Sequence, residues 1–368
     1  MQEAAQKDID LTRRALELAA HGVGLVSPSP LVGCVITSAA GEIVGEATYI
    51  YDNVTHAEVA ALEQAGERAL GGTAYVSLEP HDHHGKTPPC TDALINSGIA
   101  RVVCPIEDPN PLVSGRGFQR LADSNIEVMT GLLSDEASRL NEKFICWHRN
   151  QRPFVHLKMA ISLDGRISLN SSVSTALSGE MARGRVQELR HEYDAILVGG
   201  NTALVDDPNL TDRSGRARRR PLIRVVLDNR LRTPAASHLA APDPDSPTII
   251  FTNSKNDAKV ELLRDNGVEI VVSPDGGRDL NNVIRELYER DIQSVLVEGG
   301  SEIAATFLEA RLVDKVTVII APLIIGGRSA PAAVAGSGAS TLDDALRLVD
   351  LSVHQLGEDI EITGYCAK

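Results

Sequence analysis

Apolar residues recur at helical spacing through Leu11, Ala15, Leu16, Leu18 and Ala19, which predicts a helix over residues 9–21 that Pro28 and Pro30 bring to an end. Beyond it, strand-like and helix-like runs alternate. Residues 31–36 and 42–49 read as a strand pair, 56–70 as a helix, 73–78 as a strand, 90–97 as a helix and 101–105 as a strand. A helix at 118–124 and a strand at 126–129 repeat the alternation, and 134–148 reads as a closing helix. This order implies a sheet with helices packed on its faces.

The pattern resets in the polar stretch Arg149-Asn150-Gln151-Arg152-Pro153, which predicts one domain over residues 1–150 and another over 151–368. Strands follow at 154–161, 194–198, 222–227, 248–251, 268–272, 294–297 and 315–320. Helical stretches at 180–191, 258–265, 280–290 and 301–309 separate several of them, so the second domain is also α/β. Residues 330–340 form a loop of small residues.

Composition narrows the function. A net charge of -14 opposes a nucleic-acid partner, since affinity for a phosphate backbone comes from clustered Lys and Arg. One basic cluster stands out: Arg213, Arg216, Arg218, Arg219 and Arg220 are suited either to a small phosphorylated ligand or to an ordinary solvated loop. Five scattered cysteines (Cys34, Cys90, Cys104, Cys146, Cys366) do not suit a disulfide framework, and all but Cys90 read as small buried apolar residues. No apolar run reaches membrane-spanning length and the first residues do not resemble a signal peptide, so a cytoplasmic protein without a membrane partner is expected.

The chemistry concentrates in His56-Ala57-Glu58, Leu78-Glu79-Pro80-His81 and Pro88-Pro89-Cys90. Zinc deaminases hold the metal with one His and two Cys, while a Glu two residues after the His shuttles protons. His56 and Cys90 each open a predicted helix, Glu58 falls in the first turn of one of them, and His81 stands just beyond a strand, where a third ligand is needed. His-Ala-Glu alone is no more than a helix start with a capping Glu; joined to the other two segments it makes a specific pattern. His81 occupies a position where Cys is expected. Either imidazole replaces one thiolate and leaves the metal a stronger Lewis acid, or the site has decayed and Asp82-His83-His84 is incidental.

The surrounding residues make the chain resemble, over nearly its whole length, the bifunctional riboflavin-biosynthesis deaminase/reductase family. The first half carries Val32-Gly33-Cys34-Val35-Ile36, His56-Ala57-Glu58-Val59-Ala60-Ala61-Leu62 and His83-His84-Gly85-Lys86-Thr87-Pro88-Pro89-Cys90. The second carries Lys158-Met159-Ala160-Ile161-Ser162-Leu163-Asp164-Gly165-Arg166, Asp206-Asp207-Pro208-Asn209-Leu210-Thr211 and Val297-Glu298-Gly299-Gly300. The resemblance implies an α/β chain with an N-terminal cytidine-deaminase-like three-layer domain and a C-terminal dihydrofolate-reductase-like domain. It implies hydrolytic deamination of a diaminopyrimidinone ribosylamine phosphate and NADPH-dependent reduction of its ribosyl side chain to ribityl, in a homo-oligomer.

Residue by residue, it implies zinc on His56, His81 and Cys90, with Glu58 as proton carrier. It implies NADPH at Ala160, Thr202, Asp206 and the turn Gly300, Ser301, Glu302, Ile303, Ala304, Ala305 and Thr306, with Asp206 also a candidate proton donor. Lys86, Lys158, Ser174, Arg190, Leu210, Arg213 and Glu298 match substrate positions. Departures gather in the first half, where Ser29 and Tyr49 replace a family Asn and His and His81 a Cys; in the second, Ala176 replaces a Trp near the nicotinamide. The competing expectations are a reductase with a metal-free deaminase domain and a deaminase acting on another heterocycle. A base deaminase of nucleic acid and a scaffold without enzymatic activity stand further off, the former opposed by the acidity.

Overall fold

The computed structural model describes residues 2–83, 87–111, 113–173 and 175–367, so Lys86 and Ser174 lie outside the described residues. The chain divides into two compact units, Met1–Gln151 and Arg152–Lys368. The first contains α1 (Gln2–Ala20), β1 (Gly33–Thr37), β2 (Ile43–Thr48), α2 (Ala57–Ala65), β3 (Thr73–Val76), α3 (Cys90–Asn96), β4 (Arg101–Cys104), α4 (Arg116–Asp123), β5 (Glu127–Thr130), α5 (Ser134–Leu140) and α6 (Glu142–Asn150). Its sheet runs β2-β1-β3-β4-β5, with β1 antiparallel to both neighbours and β3, β4 and β5 parallel.

Three layers follow from the period-2 alternation of the strands. Val35 of β1 joins Leu11, Ala15 and Leu18 of α1 on one face, while Cys34 and Ile36 join Ala57, Ala61, Leu94 and Leu121 of α2, α3 and α4 on the other. Each fully buried Leu or Ile here contributes roughly 1.5–3 kcal/mol. Glycine sets how closely the helices lie on the sheet. A Cβ on Gly33 would meet the Ala15 carbonyl oxygen at 2.2 Å, and one on Gly45 the Ala61 carbonyl oxygen at 2.1 Å.

Two expectations about this unit are corrected. The closing helix breaks in two at Asn141, whose side chain accepts from the Leu31 N–H and donates to the Leu31 carbonyl, both at 2.9 Å. These bonds hold Asn141 at φ -102 and ψ 21, between α5 and α6. The helix expected over 56–70 is α-helical only to Ala65; Gly66 takes φ 54 and a 3-10 turn, Gly66–Ala69, follows.

The second unit contains β6 (Phe154–Ser162), α7 (Glu180–Glu192), β7 (Ala195–Gly199), α8 (Gly200–Val205), β8 (Ile223–Leu227), β9 (Thr248–Thr252), α9 (Asp257–Asp265), β10 (Glu269–Val272), α10 (Leu280–Tyr288), β11 (Ser294–Val297), α11 (Ser301–Glu309), β12 (Lys315–Ala321), β13 (Leu348–Leu356) and β14 (Asp359–Cys366). Its nine-stranded sheet has the order β10-β9-β8-β7-β11-β6-β12-β14-β13. The first seven strands in that order are parallel, and the last two pair antiparallel. Strands covered on both faces read as continuous apolar runs. Thus Leu197 packs with Val283, Leu287 and Phe307 on one side, while Ile196 and Val198 pack with Val260 and Leu263 on the other.

The pattern along the chain did not announce α8 or the β13–β14 hairpin. Six residues are too few for α8 to show a helical period. In β13 the alternation of Val349, Leu351 and Val353 is present but faces solvent, since that strand forms the sheet edge. Leu356 pairs with Asp359 across Gly357-Glu358, with Gly357 at φ 68, the glycine-first turn that suits a two-residue hairpin. No helix among the described residues is long and apolar enough to cross a membrane.

Candidate active sites

In the first unit, three predicted ligands converge. His56 N-caps α2, Cys90 is the first residue of α3, and His81 follows β3. Their ligand atoms all lie within 4.8 Å of one another. Tetrahedral zinc with two nitrogens and one sulfur needs separations of roughly 3.3–3.6 Å, a small contraction from this arrangement. The imidazoles of His56 and His81 face each other with ring centroids 4.5 Å apart.

The polar groups buried at this point test the fit to a metal. Glu58, 3% exposed, has a buried Oε2 without a hydrogen-bond partner. Burial, and then the Glu58 carboxylate, push the Cys90 thiol well above the ordinary range. A helix start favours a thiolate, but burial outweighs it here, and a bound dication is what would hold the sulfur in anionic form. His81 is held down to about 4 by burial and then by His56 and His83, so its imidazole is neutral and offers a lone pair near neutral pH. The residues present fit zinc. Cys34 and Cys104, fully buried, are pushed up chiefly by burial and behave as the apolar residues expected.

A cavity of about 360 Å³ opens onto this point, lined by His56, Glu58 and His81 and by the two departures Ser29 and Tyr49. Tyr49 packs on His56 with ring centroids 5.2 Å apart. The wall also holds Asp108, Asn110, Phe144 and His148, which the sequence reading missed. The turn-forming Asp108-Pro109-Asn110-Pro111 was a usable signal for the first two. Phe144 and His148 arrive from α6, far along the chain, and no local pattern marks them. Burial pushes the Asp108 carboxyl up to about 6 against the pull of the Asn110 N–H, with Glu79 adding to the rise.

In the second unit the register brings the predicted residues to the carboxyl ends of parallel strands. Val297 pairs with both Leu157 and Leu197, which levels Glu298 with Lys158 and sets Ala160, Gly199-Gly200 and Gly299-Gly300 just beyond. Such carboxyl ends are where open parallel sheets bind ligands. Arg190, from α7, grips Glu298 with Nε and Nη2 at 2.8 and 3.2 Å, and Lys158 Nζ lies 3.6 Å from the same carboxylate. Burial opposes ionisation of Glu298, but Lys158 and Arg190 together hold its carboxyl below the usual range. Arg190 also donates to the Thr211 carbonyl at 3.2 Å.

Gly300 N-caps α11, and Ser301 to Thr306 form its first turns. Helix α11 comes close to β7, since a Cβ on Gly199 would lie 2.7 Å from Ile303, yet a Cβ on Gly300 would meet nothing within 4 Å. An open N-terminus of this kind suits a phosphate group, so these residues fit NADPH. Thr202 stands in α8, and Asp206 is its exposed C-cap. Leu210 is buried with φ 50, Arg213 is exposed, and Ala176 is exposed. The basic cluster is not free as a whole: Arg218 is bound to the carbonyls of Arg190, His191 and Tyr193, and Arg220 to those of Asp291 and Arg290.

Comparison with known proteins matches residues 5–106 to the cytidine and deoxycytidylate deaminase zinc-binding region and residues 153–362 to the RibD C-terminal domain. The riboflavin biosynthesis protein RibD of Actinobacillus pleuropneumoniae is 41% identical over 355 residues, 96% of this chain and 94% of that protein. The chain belongs to the RibD family. The RibD of Escherichia coli is 39% identical over 94% of this chain and 96% of its own length. The solved structure of Acinetobacter baumannii RibD superposes with a TM-score of 0.87 at 34% identity, covering 99% of both chains. A Thermotoga maritima diaminohydroxyphosphoribosylaminopyrimidine deaminase/5-amino-6-(5-phosphoribosylamino)uracil reductase gives 0.85 at 35%, covering 98% of this chain and 99% of that one. As a RibD protein, the chain joins a zinc-dependent deaminase domain to an NADPH-dependent reductase domain in riboflavin biosynthesis.

Proposed function

We propose that both halves are catalytic, that His56, His81 and Cys90 hold the zinc, and that Glu58 carries the proton in deamination. The convergence of three ligand atoms beside the unpartnered Glu58 Oε2 carries this reading. Zinc held there supplies Lewis acidity that makes water reactive near neutral pH. Glu58 takes a proton from that water and returns it to the departing amine nitrogen, its buried position keeping bulk water from competing. The substrate is the diaminopyrimidinone ribosylamine phosphate named for the Thermotoga maritima relative, its heterocycle held in the cavity that Ser29 and Tyr49 help line, with Lys86 a further substrate-binding residue by its match to the family pattern.

The second unit would hold NADPH, whose hydride chemistry would serve reduction of the deaminated product at the ribosyl carbonyl carbon. Ala160, Thr202, Asp206 and the residues from Gly300 to Thr306 orient the cofactor; Lys158, Ser174, Arg190, Leu210, Arg213 and Glu298 bind the substrate. Asp206, exposed at the end of α8, supplies the proton directly or through water. The protein works in the cytoplasm as a homo-oligomer, without nucleic acid, for which its charge of -14 is unsuited.

Elemental analysis of protein purified without chelator tests the metal assignment. Near-stoichiometric zinc that disappears in His81→Ala together with ammonia release, while NADPH oxidation persists, is the expected result. A zinc-free wild-type chain that still oxidises NADPH would leave only the reductase half of the proposal standing.

A further inference from the structure

Helix α4 supplies no metal ligand, and none of its residues lines the deaminase cavity. It nevertheless grips the segment that carries His81 on both sides. Before His81, Glu79 is 3% exposed and its carboxylate accepts from the N–H groups of Gly115 and Gly117 at 3.0 and 2.9 Å, where α4 begins. Gly117 lies so near that a Cβ there would meet the Pro80 carbonyl oxygen at 2.0 Å. After His81, Asp82 accepts from Arg120 Nη1 and from Thr91 Oγ1, each at 2.8 Å. Arg120 Nη2 also bonds Asp92, on the helix that Cys90 opens.

We propose that α4 sets the separation of His81 and Cys90, with Arg120 as a positioning residue for the metal site. The inference rests on the reading of His56, His81 and Cys90 as zinc ligands. His81 and Asp82 stand outside any helix or strand, so their place relative to α3 is fixed by side-chain contacts and by a long backbone bond, from the Thr91 N–H to the His81 carbonyl at 3.4 Å. A planar guanidinium meets two carboxylates at once and fixes the angle between them, which a Lys ammonium does not. The Arg120 side chain is 42% exposed, so the ion pairs contribute little to folding stability and act through geometry. Partners behind metal ligands typically alter metal affinity about 10–100-fold.

The test is zinc release from the loaded full-length chain to a chromogenic chelator, compared with the urea midpoint of the first unit and with NADPH oxidation by the second. Arg120→Ala is expected to release zinc about 10–100-fold faster with little change in either control. Arg120→Lys falls between, and Asp92→Asn moves in the same direction by less. Leu121→Ala, which loosens α4 from its core side, separates positioning from general weakening: equal acceleration in that variant overturns the proposal. So does release from Arg120→Ala at the wild-type rate, or, should that variant not fold, release from Arg120→Lys at the wild-type rate. A wild-type chain that binds no zinc instead overturns the underlying reading of the site.

Discussion

In the first unit Cys90 and Glu58 lie buried together, with one Glu58 oxygen unpartnered, whereas in the second the Glu298 side chain, 9% exposed, is held by both Arg190 and Lys158. The first arrangement is electrostatically unfinished. A thiolate beside a carboxylate out of water is unfavourable unless a cation accompanies them, which fits the reading of this cluster as a metal site. The second is closed within the protein. Two cations around one carboxylate satisfy it in advance and leave a net positive charge facing the substrate end of the sheet, suited to a phosphorylated ligand. One chain thus prepares for two anionic or polar substrates by opposite routes, one awaiting a ligand and the other preorganised.

The contrast is sharpest where catalysis and folding come apart. Glu58→Gln keeps the size of the side chain but cannot carry the proton, and is expected to lower deamination about 10²–10⁴-fold while leaving reduction unchanged. Ammonia release and NADPH oxidation measured on the same preparation read both outcomes. In the second unit the larger effect falls on stability. Glu298→Ala leaves the mostly shielded Arg190 and Lys158 side chains without their anion and is expected to lower the unfolding free energy by up to about 3–5 kcal/mol, seen in the urea midpoint. Because Glu298 is held below its usual range when folded, its contribution is present above the ordinary carboxylate range and is lost as pH falls through the lowered folded value. The difference between wild type and Glu298→Gln therefore narrows in acid.

Asp108 in the first unit behaves oppositely. Its folded pKa is raised to about 6 from 3.8, so the folded state binds more protons across that window and loses stability as pH rises through it. Asp108→Asn keeps the acceptor for the Asn110 N–H and does not titrate. Its advantage over wild type is expected to grow from near zero below pH 4 to at most about 3 kcal/mol at pH 7, measured by denaturation of the first unit. A flat profile would show that the Asp108 pocket is less dry than its burial indicates.

Most of the architecture was legible because its elements are amphipathic at the periods that packing demands. Residues 301–309 form the helix expected, and the apolar runs of β7, β8 and β11 were legible as strands of an α/β unit. The failures have physical causes. Asn141 splits the closing helix because it bonds Leu31, a partner 110 residues away in sequence. The β13–β14 hairpin carries its alternation on an exposed edge, where apolar periodicity no longer reports a core. At the sites, spacing revealed His56, Glu58, His81 and Cys90 because each stands beside a helix start or strand end, but the cavity wall from α6 and the Arg120 contacts join distant segments.

The sequence by itself determined the two α/β units, the family and the candidate donor set of the deaminase half, since residue types and spacings carry that information locally. Tertiary structure alone decided the surroundings of His81. Only folding brings its imidazole against His56 and within reach of Cys90, dries the site enough to keep it neutral, and leaves one Glu58 oxygen without a partner. The exchange of a thiolate for an imidazole, ambiguous as a letter in a motif, becomes interpretable through burial and distance, which no local pattern encodes.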